Sequence, residues 1–293
     1  MLRAFAFRNR IRIMQAEDIT ARRAEFRRLH QNGCFVIPNP WDIGSARYLR
    51  GLGYKALATT SAGFAFSRGL PDDERVVGRD AMLAHVAEIV SSVNIPVNAD
   101  FQSGFAVEPE AVAHSVRLCA TTGVAGISIE DATGDSAHPL FDLPLAVERI
   151  RAAREAIGDS GVLLTARAEC FLVGLAEPLR ESVRRLQAYA EAGADVLYAP
   201  GPTKREDIRA IVEAAGPKPV NVLLSSNTGV TIADLAGLGV RRVSVGSAFV
   251  RAAWTGLINA AKELIERGTL TSLDGTVSHG ELNGFFERDH LKS

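Results

Sequence analysis

Residues 126–167, GISIEDATGDSAHPLFDLPLAVERIRAAREAIGDSGVLLTAR, contain the repeating unit that decides the fold. Gly126–Glu130 and Val162–Arg167 are short and almost continuously apolar, whereas Leu145–Ile157 between them places apolar side chains at the spacing of an amphipathic helix. Continuous apolar strands joined by helices are typical of parallel strands that are buried on both faces. The segment therefore predicts a strand–helix–strand unit.

The same alternation runs along most of the chain. It predicts eight strands, at Cys34–Ile37, Ala56–Thr60, Pro96–Asp100, Gly126–Glu130, Val162–Arg167, Val196–Ala199, Val220–Leu223 and Arg242–Val245. It predicts helices at Ala81–Val93, Glu108–Thr122, Leu145–Ile157, Leu179–Ala192, Lys204–Ala215 and Ala248–Glu266. Because no G-x-G-x-x-G motif follows the first strand, the pattern favours a closed α/β (β/α)₈ TIM barrel over an open dinucleotide-binding sheet.

We expect residues 1–293 to form one barrel domain with additions at both ends. The first is an N-terminal helix at about 17–31, with Thr20 as its cap, and the second is a peripheral C-terminal extension at about 269–293. The Arg-rich segment Met1–Met14 lacks a long apolar run and a small-residue cleavage site. It is interpreted as a frayed or over-long start, with a transit peptide as the alternative.

Composition limits the partners of the chain. Hydrophobic residues make up 47% and charged residues 23%, the balance of an ordinary globular protein. A net charge of −1 gives no general attraction to nucleic acid or to an anionic membrane, and no apolar run is long enough to span a bilayer. The three cysteines are scattered without CxxC spacing, which indicates a reducing cytoplasm.

Polar residues end several of the predicted strands, where buried parallel strands should be apolar. They are Thr59–Ser61, Asn98–Asp100, Glu130–Asp131, Arg167–Glu169 and Asn221. In a TIM barrel the carboxyl ends of all strands surround one mouth, which holds the active site. We therefore expect these side chains to converge, although they lie far apart in the sequence.

Carboxylates that converge in a partly dry pocket need positive charge, because like charges at close range repel strongly. Oxygen ligands favour Mg²⁺, with Mn²⁺ as the alternative. Asp100 and Glu130 are the predicted metal ligands, and Asp72, in the loop after the second strand, is predicted to reach the metal through water or to face the substrate.

Arg167 ends an otherwise apolar strand, so its charge needs a partner. A guanidinium holds a planar carboxylate in a bidentate clamp, which makes Arg167 a predicted substrate anchor, with an ion pair to Glu169 as the alternative. Asp131 is interpreted as a cap of the next helix. His138 is interpreted as a surface residue of the loop after Glu130, with an active-site role left open.

A series of short motifs resembles the isocitrate lyase/phosphoenolpyruvate mutase superfamily. In order along the chain they are NPWDIGSAR at 39–47, TTSAG at 59–63, GLPD at 69–72, VNAD at 97–100, IED at 129–131 and ARAE at 166–169. Each motif is weak alone, but their order and spacing cover the chain from about Pro38 to Trp254. The resemblance implies a TIM barrel that binds Mg²⁺ and a small carboxylic acid, and members typically form tetramers that exchange a C-terminal helix.

The resemblance also implies roles for individual residues. Asp72 matches a catalytic-site aspartate, Glu130 a glutamate of the metal site and Arg167 the arginine that binds the substrate carboxylate. Asp100 matches the second aspartate of a D-x-D metal motif, whose first position is Asn98 here, a weaker ligand. Substrate contacts are expected from Thr60, Ser61, Ala62, Arg167 and Asn221. The homo-oligomer is expected to be a dimer or a tetramer.

The loop after Glu130 departs from the resemblance. It reads DATGDSAHPL, without the cysteine of the K-K-C-G-H loop of isocitrate lyases and without the lysine and asparagine of phosphonate-forming mutases. We expect a Mg²⁺-dependent carbon–carbon lyase or decarboxylase-like enzyme for a small α-keto or 2-hydroxy acid, with this loop as a lid. The alternatives are a phosphonate-type member (phosphoenolpyruvate mutase or phosphonopyruvate hydrolase-like), a degenerate keto-acid-binding barrel, or a phosphate-binding barrel that uses Gly246–Ser247.

Overall fold

The computed structural model describes residues 16–291 as a nearly closed barrel of eight parallel strands, and Met1–Met14 lies outside the described residues. The strands are β1 (Phe35–Ile37), β2 (Leu57–Ala58), β3 (Val97–Asp100), β4 (Gly126–Glu130), β5 (Leu163–Arg167), β6 (Val196–Tyr198), β7 (Val220–Leu223) and β8 (Arg242–Ser244). They pair in the order β1-β8-β7-β6-β5-β4-β3-β2. At the seam between β1 and β2, the N–H of Ala58 donates to the carbonyl of Pro38 at 3.0 Å. The predicted (β/α)₈ TIM barrel is confirmed.

Helices alternate with the strands, as the apolar periodicity predicts. They are α1 (Ala16–Gln31), α2 (Ile43–Gly51), α3 (Ser61–Ser67), α4 (Glu74–Val77), α5 (Arg79–Ser92), α6 (Pro109–Thr121), α7 (Leu143–Ile157), α8 (Pro178–Glu191), α9 (Arg205–Ala215), α10 (Ile232–Gly237), α11 (Ala248–Arg267) and α12 (His279–His290). The periodicity does not predict α2, α3, α4, α10 or α12. These helices are short or carry few regularly spaced apolar residues, so the pattern contains little signal for them.

Two predicted details are wrong. Strand β2 ends at Ala58 instead of Thr60, because the Thr60 hydroxyl accepts the N–H of Gly63 at 3.1 Å and caps α3. Helix α1 begins at Ala16, so Thr20 lies inside it and is not its cap. The Thr20 hydroxyl instead donates to the carbonyl of Ala16 at 3.0 Å.

Helix α1 closes the amino-terminal end of the barrel. Its Phe26 is completely buried in a cluster with Ile37 of β1 and with Leu163 and Val196, the first residues of β5 and β6. Gly126 approaches Phe26 so closely that a Cβ atom at this position would lie 2.7 Å from the ring. Helix α1 therefore packs against the amino-terminal end of the barrel, opposite the carboxyl ends of the strands.

The interior of the barrel is largely polar, whereas apolar side chains fill the layer between strands and helices. Its buried polar residues are Asn98, Ser128, Thr165, Asn221, Arg242 and Ser244. Buried polar groups are stable only when they are hydrogen-bonded. The amide nitrogen of Asn98 donates to Ser128 at 2.9 Å, and that of Asn221 donates to Ser244 at 2.9 Å. These pairs form a polar floor beneath the open end.

The C-terminal helices pack differently from each other. Helix α12 lies on α2, where the rings of Phe285 and Tyr48 are 4.7 Å apart and Asp289 pairs with Arg50. Helix α11 buries only Val250 and leaves most of its apolar side chains exposed.

Within residues 16–291, no helix combines the length and the hydropathy that crossing a membrane requires.

Candidate active site

A cavity of about 430 Å³ lies at the carboxyl ends of the strands. Its walls include the predicted site residues Thr60, Ser61, Ala62, Asp72, Asn98, Asp100, Glu130, Arg167 and Asn221. Barrel closure therefore brings together residues that are up to 161 positions apart in the chain, from Thr60 to Asn221. Their roles follow from how they contact one another.

Arg167, at the end of β5, is the centre of the site. Its Nη1 atom lies 2.5 Å from Glu130 Oε1 and 2.8 Å from Asp100 Oδ1, and its Nε atom donates to Glu169 at 2.8 Å. The predicted convergence of Asp100 and Glu130 is thus present around a guanidinium nitrogen. The other terminal nitrogen, Nη2, donates no hydrogen bond to any residue within 16–291.

Burial and mutual repulsion shape the protonation of this cluster. Burial, and then the nearby charges of Glu169, Asp100 and Asp72, raise the pKa of Glu130 well above its usual value, although Arg167 opposes the shift. Burial also raises the pKa of Glu169. Burial opposes the charge of Arg167, but Glu130, Glu169 and Asp100 raise its pKa well above the usual range. The two glutamates therefore take up a proton more readily than exposed glutamates do, whereas Arg167 keeps its charge.

Asp100 is fixed from two directions. Its Oδ2 atom accepts the backbone N–H of Ser61 at 3.0 Å and the Ser61 hydroxyl at 3.1 Å. Its own N–H donates to the hydroxyl of Thr59 at 2.9 Å. Both donors of Ser61 are thus directed at Asp100, while Ala62 lines the cavity beside them.

Asp72 lies at the exposed rim of the cavity, where it accepts a hydrogen bond from Gln102 Nε2 at 3.2 Å. Desolvation by the cavity wall, and then the negative charge of Asp100, raise the pKa of Asp72. A carboxyl group with a raised pKa at the mouth of a cavity can exchange a proton with a bound molecule.

The donor chemistry of the site matches a hard divalent cation. Asp72, Asp100, Glu130 and Glu169 surround the single guanidinium of Arg167 and supply only oxygen ligands. Asp100 and Glu130 would hold Mg²⁺, since both already point at one centre of positive charge. In the described part of the chain, no group of three His, Cys, Asp or Glu side chains has the spacing of a complete metal site.

Comparisons with known proteins agree with this geometry. The family model described as phosphoenolpyruvate phosphomutase matches residues 26–265. The chain belongs to the phosphoenolpyruvate mutase family. The predicted membership of the isocitrate lyase/phosphoenolpyruvate mutase superfamily and the prediction of an enzyme are therefore confirmed at the level of the family.

Several relatives cover nearly the whole chain. An oxaloacetate decarboxylase of Paraburkholderia xenovorans (strain LB400) is 31% identical over 264 residues, which cover 86% of this chain and 84% of the relative. A crystal structure of a Burkholderia cenocepacia J2315 protein, known only as a candidate lyase or mutase, is 45% identical with a TM-score of 0.87, covering 92% and 97% of the chains. A phosphonopyruvate hydrolase in complex with oxalate and Mg²⁺ is 25% identical with a TM-score of 0.79, covering 94% and 96%.

Two amides of this family member lie deeper than its carboxylates. Asn98 and Asn221 are 2% and 1% exposed, so both lie in the floor of the cavity. The amide nitrogen of Asn98 donates to the carbonyl of Ala99 and to Ser128, while its Oδ1 atom has no hydrogen-bond partner within residues 16–291. Both ends of the Asn221 amide are engaged, since its oxygen accepts from Arg242 at 2.8 Å.

The interpretation of Asp131 as a helix cap is wrong. The next helix, α7, has Asp142 at its N-terminal cap position. Asp131 is instead buried and accepts the N–H of Glu169 at 2.8 Å, the Arg185 guanidinium at 3.0 Å and the Tyr189 hydroxyl at 2.6 Å. It thereby joins the end of β4 to the end of β5 and to α8, next to both glutamates of the site.

Sequence reasoning missed the contribution of the loop after β3. Gln102 and Ser103 are buried at the cavity, and the Ser103 hydroxyl donates to Glu74 at 2.6 Å. Gln102 has a left-handed backbone with φ 47°, which a non-glycine residue rarely adopts. Arg149 on α7 holds this loop by donating to the carbonyls of Ser103, Ala106 and Val107. In the sequence this loop is the segment FQSGF at 101–105, which directly follows Asp100.

The two remaining candidates, His138 and the Gly246–Ser247 segment, do not contact the Arg167 cluster. His138 is exposed, and its Nδ1 atom is 3.5 Å from Asp135 on the outside of the loop. The N–H groups of Val245 and Gly246 donate to Asn39 Oδ1 at 3.0 and 2.8 Å. Of the Gly246–Ser247 pair, the Gly246 N–H is therefore engaged within the fold.

Proposed function

We propose that the protein is a Mg²⁺-dependent carbon–carbon lyase that decarboxylates a small α-keto acid, with oxaloacetate as the model substrate. The observation that carries the proposal is the convergence of Asp100 and Glu130 on Nη1 of Arg167 inside a cavity of about 430 Å³. Similarity to an oxaloacetate decarboxylase over 86% of the chain supports the same reaction class. Mn²⁺ is the expected substitute metal.

The side chains of the site would divide the work. Asp100 and Glu130 hold the cation, while Ser61 keeps Asp100 in place through two hydrogen bonds. Arg167 binds the substrate carboxylate through Nη2, which donates no hydrogen bond to residues 16–291. Mg²⁺ held by these two carboxylates would supply Lewis-acid stabilisation of the negative charge that develops as the bond breaks. Asp72, at the rim, supplies the proton that the product carbon takes up.

The loop after β4 favours decarboxylation over retro-aldol cleavage. Retro-aldol cleavage requires a base for the hydroxyl proton and an acid for the product carbon, whereas loss of CO₂ from a β-keto acid requires no base. Residues 131–140, DATGDSAHPL, contain no cysteine or lysine that could act beside Asp72 as the second acid–base group of such a cleavage. The N–H of Thr133 donates to the carbonyl of Pro139 at 3.1 Å, which closes the loop into a compact lid with Gly134 at its exposed turn.

The decisive experiment measures pyruvate formation from oxaloacetate with and without Mg²⁺, after subtraction of the reaction that the metal alone catalyses. We expect metal-dependent turnover that Asp100→Asn lowers by about 10²-fold or more and that the exposed control Asp80→Asn leaves unchanged. Turnover of phosphonopyruvate without turnover of oxaloacetate would identify a phosphonate-type enzyme. Stabilisation by oxalate without any product would identify a keto-acid-binding barrel.

We also propose that α11 mediates assembly with a second copy of the chain. Trp254, Leu257, Ile258 and Ile265 are exposed on this helix at helical spacing, with Ile265 85% exposed. Such a row of apolar side chains on one helix is typical of an interface. Light scattering should show a dimer or a tetramer for the wild type. The double variant Leu257→Asp, Ile258→Asp should dissociate it into monomers, and a monomeric wild type would contradict the proposal.

The compartment proposed for the protein is the cytoplasm. Cys34, Cys119 and Cys170 are all free thiols, two of them buried, and no disulfide joins residues 16–291. Unpaired thiols are typical of a reducing compartment. Fractionation of cells that express the full chain tests the location.

A further inference from the structure

Arg242, the first residue of β8, is a buried cation without an acidic partner. Its side chain contributes to the floor of the cavity, although the residue is only 2% exposed. Within residues 16–291, no carboxylate lies within ion-pair distance of its guanidinium. Arginine is rarely buried without a counter-charge, because removing a charge from water is costly.

Three neutral side chains hold the guanidinium in place. Nε donates to Asn221 Oδ1 at 2.8 Å, Nη2 donates to Thr165 Oγ1 at 3.1 Å, and Nη1 lies 3.4 Å from His30 Nε2. His30 donates from Nδ1 to the carbonyl of Phe26, so its Nε2 atom accepts. Burial lowers the pKa of Arg242 to about 10, which leaves the group protonated at neutral pH.

Hydrogen bonds connect Arg242 to the substrate side of the cavity. The Asn221 amide donates to Ser244 at 2.9 Å, and the Ser244 hydroxyl donates to the hydroxyl of Tyr198 at 3.4 Å. The ring of Tyr198 lies 5.0 Å from the guanidinium carbon of Arg167. The two guanidinium groups therefore occupy one continuous polar network, with Arg167 beside the carboxylates and Arg242 below them.

We propose that Arg242 is a positioning residue that places a fixed positive charge beneath the cavity. This charge favours the binding of an anionic acid and opposes the binding of a cation such as Mg²⁺. This inference rests on the proposed function, because it takes the cavity as the site of the acid and of the metal. Thr165, Asn221 and His30 orient the charge without neutralising it. A fixed charge in a site shielded from water acts more strongly than the same charge in solvent.

The test measures the binding of oxalate alone, in the presence of EDTA, and of Mg²⁺ alone by titration calorimetry at neutral pH. Arg242→Met should weaken oxalate about tenfold and strengthen Mg²⁺ severalfold, because one positive charge is lost. Arg242→Gln retains polar contacts and should give the same signs if the methionine variant does not fold. Arg242→Lys should restore both affinities to within about threefold of the wild type. The control is Arg241→Met, since Arg241 contacts the carbonyl of Gly33 and does not line the cavity.

Opposite changes in the two affinities support the inference, whereas a general structural role for Arg242 would weaken both ligands together. A parallel loss of both ligands, or no change in either, would overturn it. If wild-type protein binds oxalate but not Mg²⁺, the proposed metal-dependent function fails, while oxalate titration still tests Arg242 because Arg242→Lys should restore the affinity and Arg242→Gln should not. If wild-type protein binds no oxalate, the inference about Arg242 is wrong.

Discussion

Glu130 Oε1 lies 2.5 Å from Arg167 Nη1, so a buried carboxylate and a buried guanidinium neutralise each other at the centre of the cavity. Removing one partner of a buried pair leaves an uncompensated charge and typically costs about 3–5 kcal/mol. We expect Arg167→Met to lower the free energy of unfolding by about this amount in EDTA. Millimolar Mg²⁺ should stabilise this variant more than it stabilises the wild type, because the cation replaces the lost charge.

Thermal unfolding with and without Mg²⁺ measures this effect. The exposed residue Arg117 on α6 provides the matched control, Arg117→Met. Equal Mg²⁺ stabilisation of wild type and Arg167→Met would argue against a cation site shared by Asp100 and Glu130. Oxalate affinity should also fall in Arg167→Met while Mg²⁺ affinity does not, and an equal loss of both would count against the role of Arg167 as the carboxylate anchor.

His30 should make the protein sensitive to acid. Burial, followed by the charges of Arg242 and Arg27, lowers the pKa of His30 from 6.5 to about 3. The stabilisation from keeping His30 neutral is therefore complete above about pH 6.5 and is lost as the pH falls toward 3. Between pH 7 and pH 5 we expect His30 to account for a loss of about 2 kcal/mol in unfolding free energy.

Urea unfolding of wild type and His30→Gln at both pH values isolates this contribution. Glutamine can donate and accept at the same positions but does not become charged, so the variant should lose less stability at pH 5. His114→Gln, at an exposed position on α6, should behave like the wild type. The pH dependence would have another origin if His30→Gln and the wild type lost equal stability.

The sequence predicts the barrel because each strand is a local signal. β4 and β5 are short apolar runs with a helix of period 3.6 between them, and the structure places both within a residue of the predicted bounds. β2 is shorter than predicted because a cap, not the apolar pattern, decides where it ends. Thr59 and Thr60 are β-branched and therefore favour a strand in sequence, but Thr60 is used to start α3.

The candidate site is only partly predictable because some contacts have no local pattern. Asp100, Glu130 and Arg167 stand out as polar ends of apolar strands, so the sequence could suggest them. Asp131 receives Arg185 and Tyr189 from α8, more than 50 residues away, and nothing near Asp131 in the sequence indicates them. In the sequence, Arg242 is only a charged residue at the start of a predicted strand. Its position under the cavity becomes visible only once the barrel closes.

Gly126 should tolerate no side chain. A Cβ atom there would lie 2.5 Å from Asn98 Oδ1 and 2.7 Å from the ring of Phe26. Overpacking of this kind typically costs about 1–3 kcal/mol, so Gly126→Ala should lower the free energy of urea unfolding by that amount. Gly256→Ala on α11, where a Cβ meets no atom within 4 Å, should instead stabilise by up to about 1 kcal/mol. If Gly126→Ala left the free energy of unfolding unchanged, α1 would have to be able to move away from the strands.

Asp131 should couple the stability of the fold to the geometry of the site. Asp131→Ala removes the acceptor of the Glu169 N–H and leaves the buried groups of Arg185 and Tyr189 without this partner, so we expect a loss of about 3 kcal/mol in unfolding free energy. Asp131→Asn keeps acceptor atoms and should cost less. Tyr189→Phe removes one hydrogen bond of 2.6 Å and should cost about 1–2 kcal/mol. Because Asp131 and Tyr189 share that bond, the double variant should be less destabilised than the single effects combined, and strict additivity in urea unfolding would show that the contact contributes nothing.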